Sequence, residues 1–238
     1  MTEIRNYHAA DDVAQAAAEN AIEILQAAIE AKGSASWVVA GGTSPLLAYK
    51  KLVQQFSDAL DWSLVTIIIG DERMVPLDSK ESNSVLIQAL FDKSPELSKL
   101  KRIIPNTSVD TATAARLYED AIAAQHFVEF DLVWIGVGED GHTLSLFPGN
   151  AAFTSPTDAW VIPVYDAPKA PKERISLSLK ALEYVDELVI FAVGATKQDA
   201  LKEARLKRKL PVAVVSDVVE TNGGEVRWLY DEAAWNDD

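Results

Sequence analysis

The sequence predicts an α/β fold built on a mostly parallel β-sheet. Short apolar runs such as LVTIII at 64–69 and DLVWIGV at 131–137 do not alternate with polar residues, which indicates strands buried on both faces. Stretches of helical character separate these runs, as crossover helices separate the strands of a parallel sheet. Glycine and polar residues directly follow several of the runs, as at the ligand-binding edge of such a sheet.

The first half of the chain predicts helices alternating with short strands. A helix at 11–32 begins at Asp11 and Asp12, acidic residues suited to a helix N-terminus, and stops at Gly33. A strand at 36–40 leads through a glycine-rich turn into a helix whose first position suits Pro45. The other elements predicted here are a strand at 64–69, a helix at 82–91, a strand-like segment at 102–105 and a helix at 110–126.

The second half predicts further strands and one basic helix. Strands are predicted at 131–137, 160–165, 174–179 and 188–193, a basic helix at 195–208, and closing strands at 211–215 and 225–230. We expect the acidic tail at 231–238 to fray. No internal repeat and no linker rich in proline, glycine or serine interrupts this order, so we expect one domain over residues 1–238.

The composition excludes several kinds of site and partner. The chain has 238 residues, no cysteine, and a net charge of −14 from 22 basic and 36 acidic residues. The lack of cysteine excludes disulfides, thiolate metal sites and cysteine nucleophiles. The strong acidity makes nucleic acid and anionic membrane surfaces poor partners, whereas a small anion can still bind where a few basic residues meet in a cleft.

The N-terminus and the apolar runs bear on location. The opening residues MTEIRNYHAADD lack the basic segment and apolar core of a signal peptide. No apolar run approaches the ~20 residues of a transmembrane helix. We therefore expect a cytoplasmic protein with no membrane partner.

Four predicted strands are followed by segments that carry both glycine and polar residues. These segments are GGTSP at 41–45, GDER at 70–73, GEDGHT at 138–143 and GATK at 194–197. Ligands of open α/β sheets bind beyond the carboxyl ends of the strands, so we expect the four segments to form one site.

The first two segments have both a structural and a functional interpretation. Gly41, Gly42, Thr43 and Ser44 open a helix whose free N–H groups can bind an anion, yet such turns also occur without ligands. The turn lacks the GxxxxGK[ST] pattern of a nucleotide-binding P-loop. Asp71 and Arg73 in the second segment can serve a ligand, or can simply pair with each other on the surface.

The third segment contains the histidine best placed for chemistry. Residues 136–141 fit the GxGxxG pattern of dinucleotide sites, but they do not follow the first strand, and Pro148 interrupts any helix after them. His142 lies in this glycine-flanked loop close to Asp140, which can orient the imidazole as a general base. The alternative is a histidine that only caps the loop. The three histidines of the chain are too dispersed to suggest a zinc site.

Lys197 and Arg174 are the remaining candidates for binding an anion. Lys197 begins a predicted helix and can meet a phosphate as a point charge, although a solvated lysine is the alternative. Arg174 lies on a predicted strand after a proline-containing loop at 166–172 and is the weaker candidate. No GxSxG elbow occurs, which argues against a serine hydrolase.

Taken together, these segments resemble the 6-phosphogluconolactonases. The resemblance rests on GGTSP, GDERMVPLDSKESNS, GVGEDGHTLSLFPG, ERISLSL and GATK, in the order and spacing of that family from about residue 37 to 197. Leu144 and Ser178 replace residues that are commoner in the family. The resemblance implies a Rossmann-like three-layer sandwich with additional strands, shared with the glucosamine-6-phosphate deaminases and ribose-5-phosphate isomerases.

The resemblance also implies an activity and roles for the candidate residues. It implies hydrolysis of 6-phospho-D-glucono-1,5-lactone to 6-phospho-D-gluconate, a step of the oxidative pentose phosphate pathway, with no metal or organic cofactor. His142 would be the general base, and Asp140 or Asp71 would orient it or the sugar hydroxyls. Arg73 would face the phosphate or the developing oxyanion. The phosphate would meet Lys197, Arg174 and the N–H groups of residues 41–44, and Asn83 would bind the sugar or brace the Asp71 loop.

Two other functions remain open at this point. The similar deaminases carry a Glu-Pro pair where this chain has Phe147 and Pro148, which favours a hydrolase over a glucosamine-6-phosphate deaminase or isomerase. A non-catalytic sugar-phosphate sensor would need a DNA-binding module, for which the length leaves no room. The expected partner is therefore a small phosphorylated sugar lactone, and the expected assembly is a monomer or a weak homodimer.

Overall fold

The computed structural model describes residues 2–235, with the backbone alone at residue 207. Its strands are β1 (Thr2–Tyr7), β2 (Ala35–Val39), β3 (Val65–Ile69), β4 (Asp71–Arg73), β5 (Lys101–Ile103), β6 (Phe130–Gly136), β7 (Val161–Val164), β8 (Arg174–Leu177), β9 (Val185–Ala192) and β10 (Glu225–Asp231). Its helices are α1 (Ala10–Lys32), α2 (Thr43–Gln55), α3 (Asn83–Phe91), α4 (Thr111–Ala123), α5 (Ala151–Thr154), α6 (Gln198–Lys207) and α7 (Pro211–Thr221).

Seven parallel strands form the main sheet, in the order β1-β10-β9-β6-β2-β3-β5. From β2 the chain adds β3 and β5 on one side, and then β6, β9 and β10 on the other. The direction of winding therefore changes between β2 and β6, and a crevice forms at such a point in open α/β sheets. With helices packed against the sheet, the α/β fold class and its parallel sheet are confirmed.

A second, antiparallel sheet of three strands, β4-β8-β7, lies against the carboxyl end of β3. Gly70 joins the two sheets, because its N–H donates to the Val39 carbonyl at 3.0 Å and its carbonyl accepts from Leu177 at 2.8 Å. In the register of β4 and β8, Asp71 lies opposite Ser176 and Arg73 lies opposite Arg174. These additional strands carry polar residues to the crevice.

Two buried tyrosines fix the ends of neighbouring strands. The Tyr49 hydroxyl donates to the Ala40 carbonyl and accepts from the Ala40 N–H, both at 3.0 Å. The Tyr118 hydroxyl contacts both the N–H and the carbonyl of Ile69. Because burial raises the pKa of both phenols, they remain neutral hydrogen-bonding groups. They hold the backbone at the point where the first two polar segments leave the sheet.

One predicted element is wrong, and others shift or were missed. The strand predicted at 211–215 is the first half of α7, which has Pro211 at its N-terminus. α2 begins at Thr43 with Gly42 as its N-cap, so Pro45 is the third helical residue and not the first. The short elements β4 and α5 were not predicted.

The predicted fraying of the tail is also wrong within the described residues. Asp231 ends β10 and is buried, and Ala234 is buried as well. Residues 236–238 of the predicted tail lie outside the described part of the chain. In the described residues, no helix is both long and apolar enough to cross a membrane.

Candidate active site

A cleft of about 200 Å³ opens at the carboxyl ends of β2, β3 and β6. It is lined by residues 40–45, Asp71, Arg73, Asn83, residues 136–139, His142, Leu144, Lys169, Arg174 and Lys197. Every substrate-binding candidate from the sequence lies in this lining. Asp140 does not line the cleft but contacts His142, which does. The structure thus brings all predicted site residues together at the change in winding direction.

His142 and Asp140 form a close pair. The Asp140 carboxylate is in hydrogen-bond contact with Nδ1 of His142 and also accepts from the His142 backbone N–H at 3.3 Å. An imidazole that donates from Nδ1 carries its lone pair on Nε2, which makes no hydrogen bond to a described residue. About 20% of the His142 side chain is exposed. The imidazole is thus oriented and accessible, as a general base requires.

Contact with His142 lowers the pKa of Asp140. Partial burial raises the pKa of Asp140, but the hydrogen bond and the charge of His142 outweigh it and lower this pKa to about 2. The Phe147 ring packs against the imidazole with 4.5 Å between centroids. The imidazole of His142 is therefore held on one side by the Asp140 carboxylate and on another by the Phe147 ring.

Asp71 is buried and does not pair with Arg73 among the described residues. Its carboxylate accepts from Ser145 Oγ at 2.6 Å and, more weakly, from Asn83 Nδ2 at 3.4 Å. Its side chain is held from two sides at the floor of the cleft. The interpretation of Asp71 and Arg73 as a surface ion pair is therefore wrong.

Asn83 braces the Asp71 loop against the first glycine-rich segment. Its Nδ2 donates to the Asp71 carbonyl at 2.8 Å, while its buried Oδ1 has no partner among the described residues. A Cβ atom at Gly41 would lie 2.0 Å from that Oδ1, so only glycine allows this approach. Of the two roles expected for Asn83, this geometry favours bracing.

Arg73 and Arg174 lie directly opposite each other on β4 and β8. Two like charges in this position repel, so the pair favours an anion between or above them. Arg174 is buried and makes no ion pair among the described residues; it donates from Nε to the Pro171 carbonyl and from Nη2 to the Lys169 carbonyl. Burial lowers the pKa of Arg174, the charge of Asp71 opposes this, and Arg73 lowers it further.

Lys197 faces the same cleft from the turn after β9. Burial lowers the pKa of Lys197, the charge of Glu139 opposes this, and Lys169 lowers it further. The turn itself is held by Asp231, whose Oδ1 accepts from the Gly194 N–H at 2.9 Å. Arg73, Arg174 and Lys197 therefore bring positive charge to one cleft of an otherwise acidic protein.

Sequence reasoning missed several residues of this site. Glu72, a buried residue of β4, accepts hydrogen bonds from the backbone N–H groups of Arg73 and, at the start of α3, of Asn83 and Ser84. Glu139 and Lys169 also line the cleft. The prolines of the segment at 166–172 predict that Lys169 lies in a loop, but the sequence does not show that this loop reaches the cleft. The described residues contain no cluster of three or more His, Asp and Glu side chains arranged to hold a metal.

A sequence profile described as "Glucosamine-6-phosphate isomerases/6-phosphogluconolactonase" matches residues 8–228. The chain belongs to this family of sugar-phosphate enzymes. A 6-phosphogluconolactonase of Neisseria meningitidis is 32% identical over 217 residues, which cover 88% of this chain and 91% of the relative. A probable 6-phosphogluconolactonase of Schizosaccharomyces pombe is 32% identical over 228 residues, with 89% and 86% covered.

Solved structures of the family share the whole architecture. A 6-phosphogluconolactonase from Shewanella baltica superposes with a TM-score of 0.83 at 27% identity, covering 97% of this chain and 98% of the other. A 6-phosphogluconolactonase from Thermotoga maritima gives 0.81 at 26% identity, covering 97% and 100%. The predicted resemblance and fold are therefore confirmed.

Proposed function

We propose that the protein hydrolyses 6-phospho-D-glucono-1,5-lactone to 6-phospho-D-gluconate. The observation that carries this proposal is the His142–Asp140 pair, which faces the same cleft as Arg73, Arg174 and Lys197. A lactonase needs one base to activate water and a cationic subsite to hold a phosphorylated sugar, and these two groups meet in this cleft.

The reaction follows from these groups. Nε2 of His142 takes a proton from water as the water oxygen attacks C1 of the lactone. The carbonyl electrons move onto oxygen and give a tetrahedral oxyanion. When this intermediate collapses, the bond from C1 to the ring oxygen breaks, and the ring oxygen takes the proton back from the imidazolium. Asp140 orients the imidazole and stabilises its charged form.

Phe147 favours hydrolysis over amino-sugar isomerisation. An aldose–ketose isomerase must move protons between C1 and C2, and the similar deaminases have a glutamate at the position of Phe147. Phe147 has no group that can donate or accept a proton. Its ring packs between His142 and the Arg174 guanidinium, with 5.4 Å between the guanidinium carbon and the ring centroid. A residue that only shapes the cleft is sufficient for adding water to a lactone.

Two roles remain open to Arg73, and kinetics distinguish them. Its Nη1 donates to the Glu81 carbonyl at 2.6 Å, while its buried Nε has no partner among the described residues. If Arg73 holds the phosphate, Arg73→Ala raises KM. If Arg73 stabilises the oxyanion, the same variant lowers kcat. The phosphate is held by Lys197, Arg174 and the N–H groups of residues 41–44.

The test is a parallel assay of lactone hydrolysis and of ammonia release from glucosamine 6-phosphate. We expect lactone hydrolysis above the spontaneous rate, which must be subtracted, and no ammonia. His142→Ala should still fold, and its rate of lactone hydrolysis should be lower than that of the wild type by a factor of about 10² to 10⁴, the usual contribution of a general base. Ammonia release, or wild-type hydrolysis in His142→Ala, would contradict the proposed reaction or the proposed base, respectively.

This proposal places the protein in the oxidative pentose phosphate pathway of the cytoplasm, as one domain that needs no metal or organic cofactor. Its assembly as a monomer or weak homodimer stays a prediction, for which sedimentation analysis is the direct measurement.

A further inference from the structure

Lys169 and Glu139 face each other across the mouth of the cleft. Lys169 comes from the loop at 166–172 between β7 and β8, and Glu139 comes from the segment after β6. Their Nζ and Oε2 atoms are 3.9 Å apart, and the two side chains are 60% and 57% exposed. An ion pair this long and this exposed contributes little stability, so the ammonium can leave it at low cost.

The backbone of this loop is held in place although the Lys169 side chain is not. Arg174 donates to the carbonyls of Pro171 and Lys169 at 3.0 and 3.1 Å, and the Ala167 N–H donates to the Lys172 carbonyl at 3.1 Å. Lys169 is therefore anchored by a buried cation that itself lines the cleft. Its long side chain can turn toward the cleft without any movement of the loop.

Lys169 and Lys197 lie close enough to repel each other, and Glu139, with a smaller contribution from Asp140, offsets this repulsion. Lys169 lowers the pKa of Lys197, which burial has already lowered, while Glu139 raises it. Both lysines and Glu139 line the same cleft. A phosphate dianion between the lysines would attract both ammonium groups more strongly than one exposed carboxylate does.

We propose that Lys169 is a further substrate-binding residue, whose ammonium moves from Glu139 to the phosphate of the bound lactone. This inference rests on the proposed lactonase function. It assigns Glu139 a second role as an internal competitor of the phosphate, so that Glu139 sets substrate affinity without taking part in the chemistry. Lys169 would act mainly on ground-state binding, since it lies at the mouth of the cleft.

The kinetic test compares Lys169→Ala with Lys172→Ala. Lys172 lies in the same loop and is exposed, but does not line the cleft, so its loss removes the same charge without the contact. We expect Lys169→Ala to raise KM about fivefold to tenfold with kcat nearly unchanged, as for a lost charge-assisted contact. Lys172→Ala should leave both constants near those of the wild type. Equal KM values in the two variants would overturn the proposal.

Glu139→Gln separates competition from general electrostatics. If Glu139 holds Lys169 away from the phosphate, Glu139→Gln should lower KM by about twofold in the wild type and have no effect on KM in the Lys169→Ala background. The same change in both backgrounds would show that Glu139 acts on the substrate directly, and would remove its role as a competitor.

Binding of inorganic phosphate, followed by titration calorimetry, tests Lys169 independently of catalysis. We expect phosphate to bind the wild type and Lys172→Ala alike, and Lys169→Ala more weakly by about the factor seen in KM. If the wild type hydrolyses no lactone, the proposed function fails, and the phosphate titration still decides whether Lys169 binds the anion. If phosphate does not bind the wild type, or binds Lys169→Ala equally well, the Lys169 proposal fails while the lactonase can stand.

Discussion

Gly138 and His142 approach so closely that a Cβ atom at position 138 would lie 2.0 Å from Nδ1 of the imidazole and 2.7 Å from an Asp140 oxygen. The Gly138 N–H also donates to the His142 carbonyl at 2.8 Å. Gly138, the second glycine of the GxGxxG pattern, is thus required here because the His142 side chain of the same loop occupies the space that a Cβ atom would take. Its missing side chain is the space in which the His142–Asp140 pair fits.

Gly138→Ala should therefore displace the imidazole. A shift of about 1 Å in a catalytic group can lower the rate about a hundredfold, so we expect kcat to fall to this extent. The matched control is Gly136→Ala, because an added Cβ at position 136 meets no protein atom within 4 Å. Gly136 also lines the cleft, so this variant can change KM but should leave kcat near that of the wild type. Steady-state kinetics and thermal unfolding of both variants decide the point, and a wild-type kcat in Gly138→Ala would contradict it.

The Asp140 carboxylate should contribute to stability in a defined pH range. Its pKa is about 2 in the folded chain against an ordinary value of 3.8. A carboxylate with a lowered pKa stabilises the fold above its ordinary pKa, and this contribution is lost as pH falls through the folded value. Asp140→Asn should therefore be less stable than the wild type at pH 5 to 7, and the difference should shrink between about pH 4 and pH 2.

Urea unfolding at a series of pH values measures this difference. The size of the effect is limited because 40% of the Asp140 side chain is exposed and solvent screens its charge. Asp158→Asn is the control, since Asp158 is an exposed aspartate away from the cleft. A difference between Asp140→Asn and wild type that does not depend on pH would argue against a stabilising ion pair.

Glu72 should be a positioning residue that is sensitive to loss of its charge. Its carboxylate accepts from three backbone N–H groups and from the hydroxyls of Ser82 and Ser84. Glu72→Gln turns one acceptor oxygen into an NH₂ group that faces these donors. We expect a loss of about 2–3 kcal/mol in the free energy of unfolding, as for a buried charged group left without its partners.

The control for Glu72 is Glu81→Gln, an exposed glutamate on the neighbouring loop. Because Glu72 also holds the backbone of Arg73 and Asn83, Glu72→Gln should raise KM or lower kcat even at temperatures where it is fully folded. A variant as stable and as active as Glu81→Gln would exclude this role.

Most residues of the site could be predicted from the sequence, whereas Glu139, Lys169 and the contacts among the site residues could not. Residues that follow parallel strands must lie at one edge of a sheet, so GGTSP, GDER, GEDGHT and GATK indicate a common cleft. Local sequence does not show that the GDER segment forms a strand of its own beside β8. That pairing buries Glu72 and places Arg73 opposite Arg174.

The wrong strand at 211–215 has a similar cause. Valines in this segment favour an extended chain locally, and Pro211 can begin either kind of element. In the structure Val212, Val215 and Val219 are buried, with the helical spacing of three and four residues. This helical spacing is visible only when the sequence is considered as far as residue 221, beyond the five residues predicted as a strand. Burial of the three valines on one face stabilises the helix.

Arg174 should make the stability of the protein depend on phosphate. A ligand that binds only the folded state adds RT ln(1 + [L]/Kd), so phosphate at ten times its Kd stabilises by about 1.4 kcal/mol. For a chain of this size that corresponds to a rise of roughly 3–6 °C in Tm. Arg174→Ala should lose most of this rise, because it removes a buried cation that makes no ion pair among the described residues.

Arg116→Ala is the matched control for Arg174→Ala, since Arg116 is an exposed arginine on α4 that pairs with Asp120 at 3.1 Å, away from the cleft. The measurement is thermal unfolding with sodium phosphate and with sodium chloride at equal ionic strength. Chloride at this strength only screens surface charges, so an increase specific to phosphate reports on a site. We expect this increase in the wild type and in Arg116→Ala. An equal increase in Arg174→Ala would show that the buried guanidinium orders the loop at 166–172 and does not bind the anion.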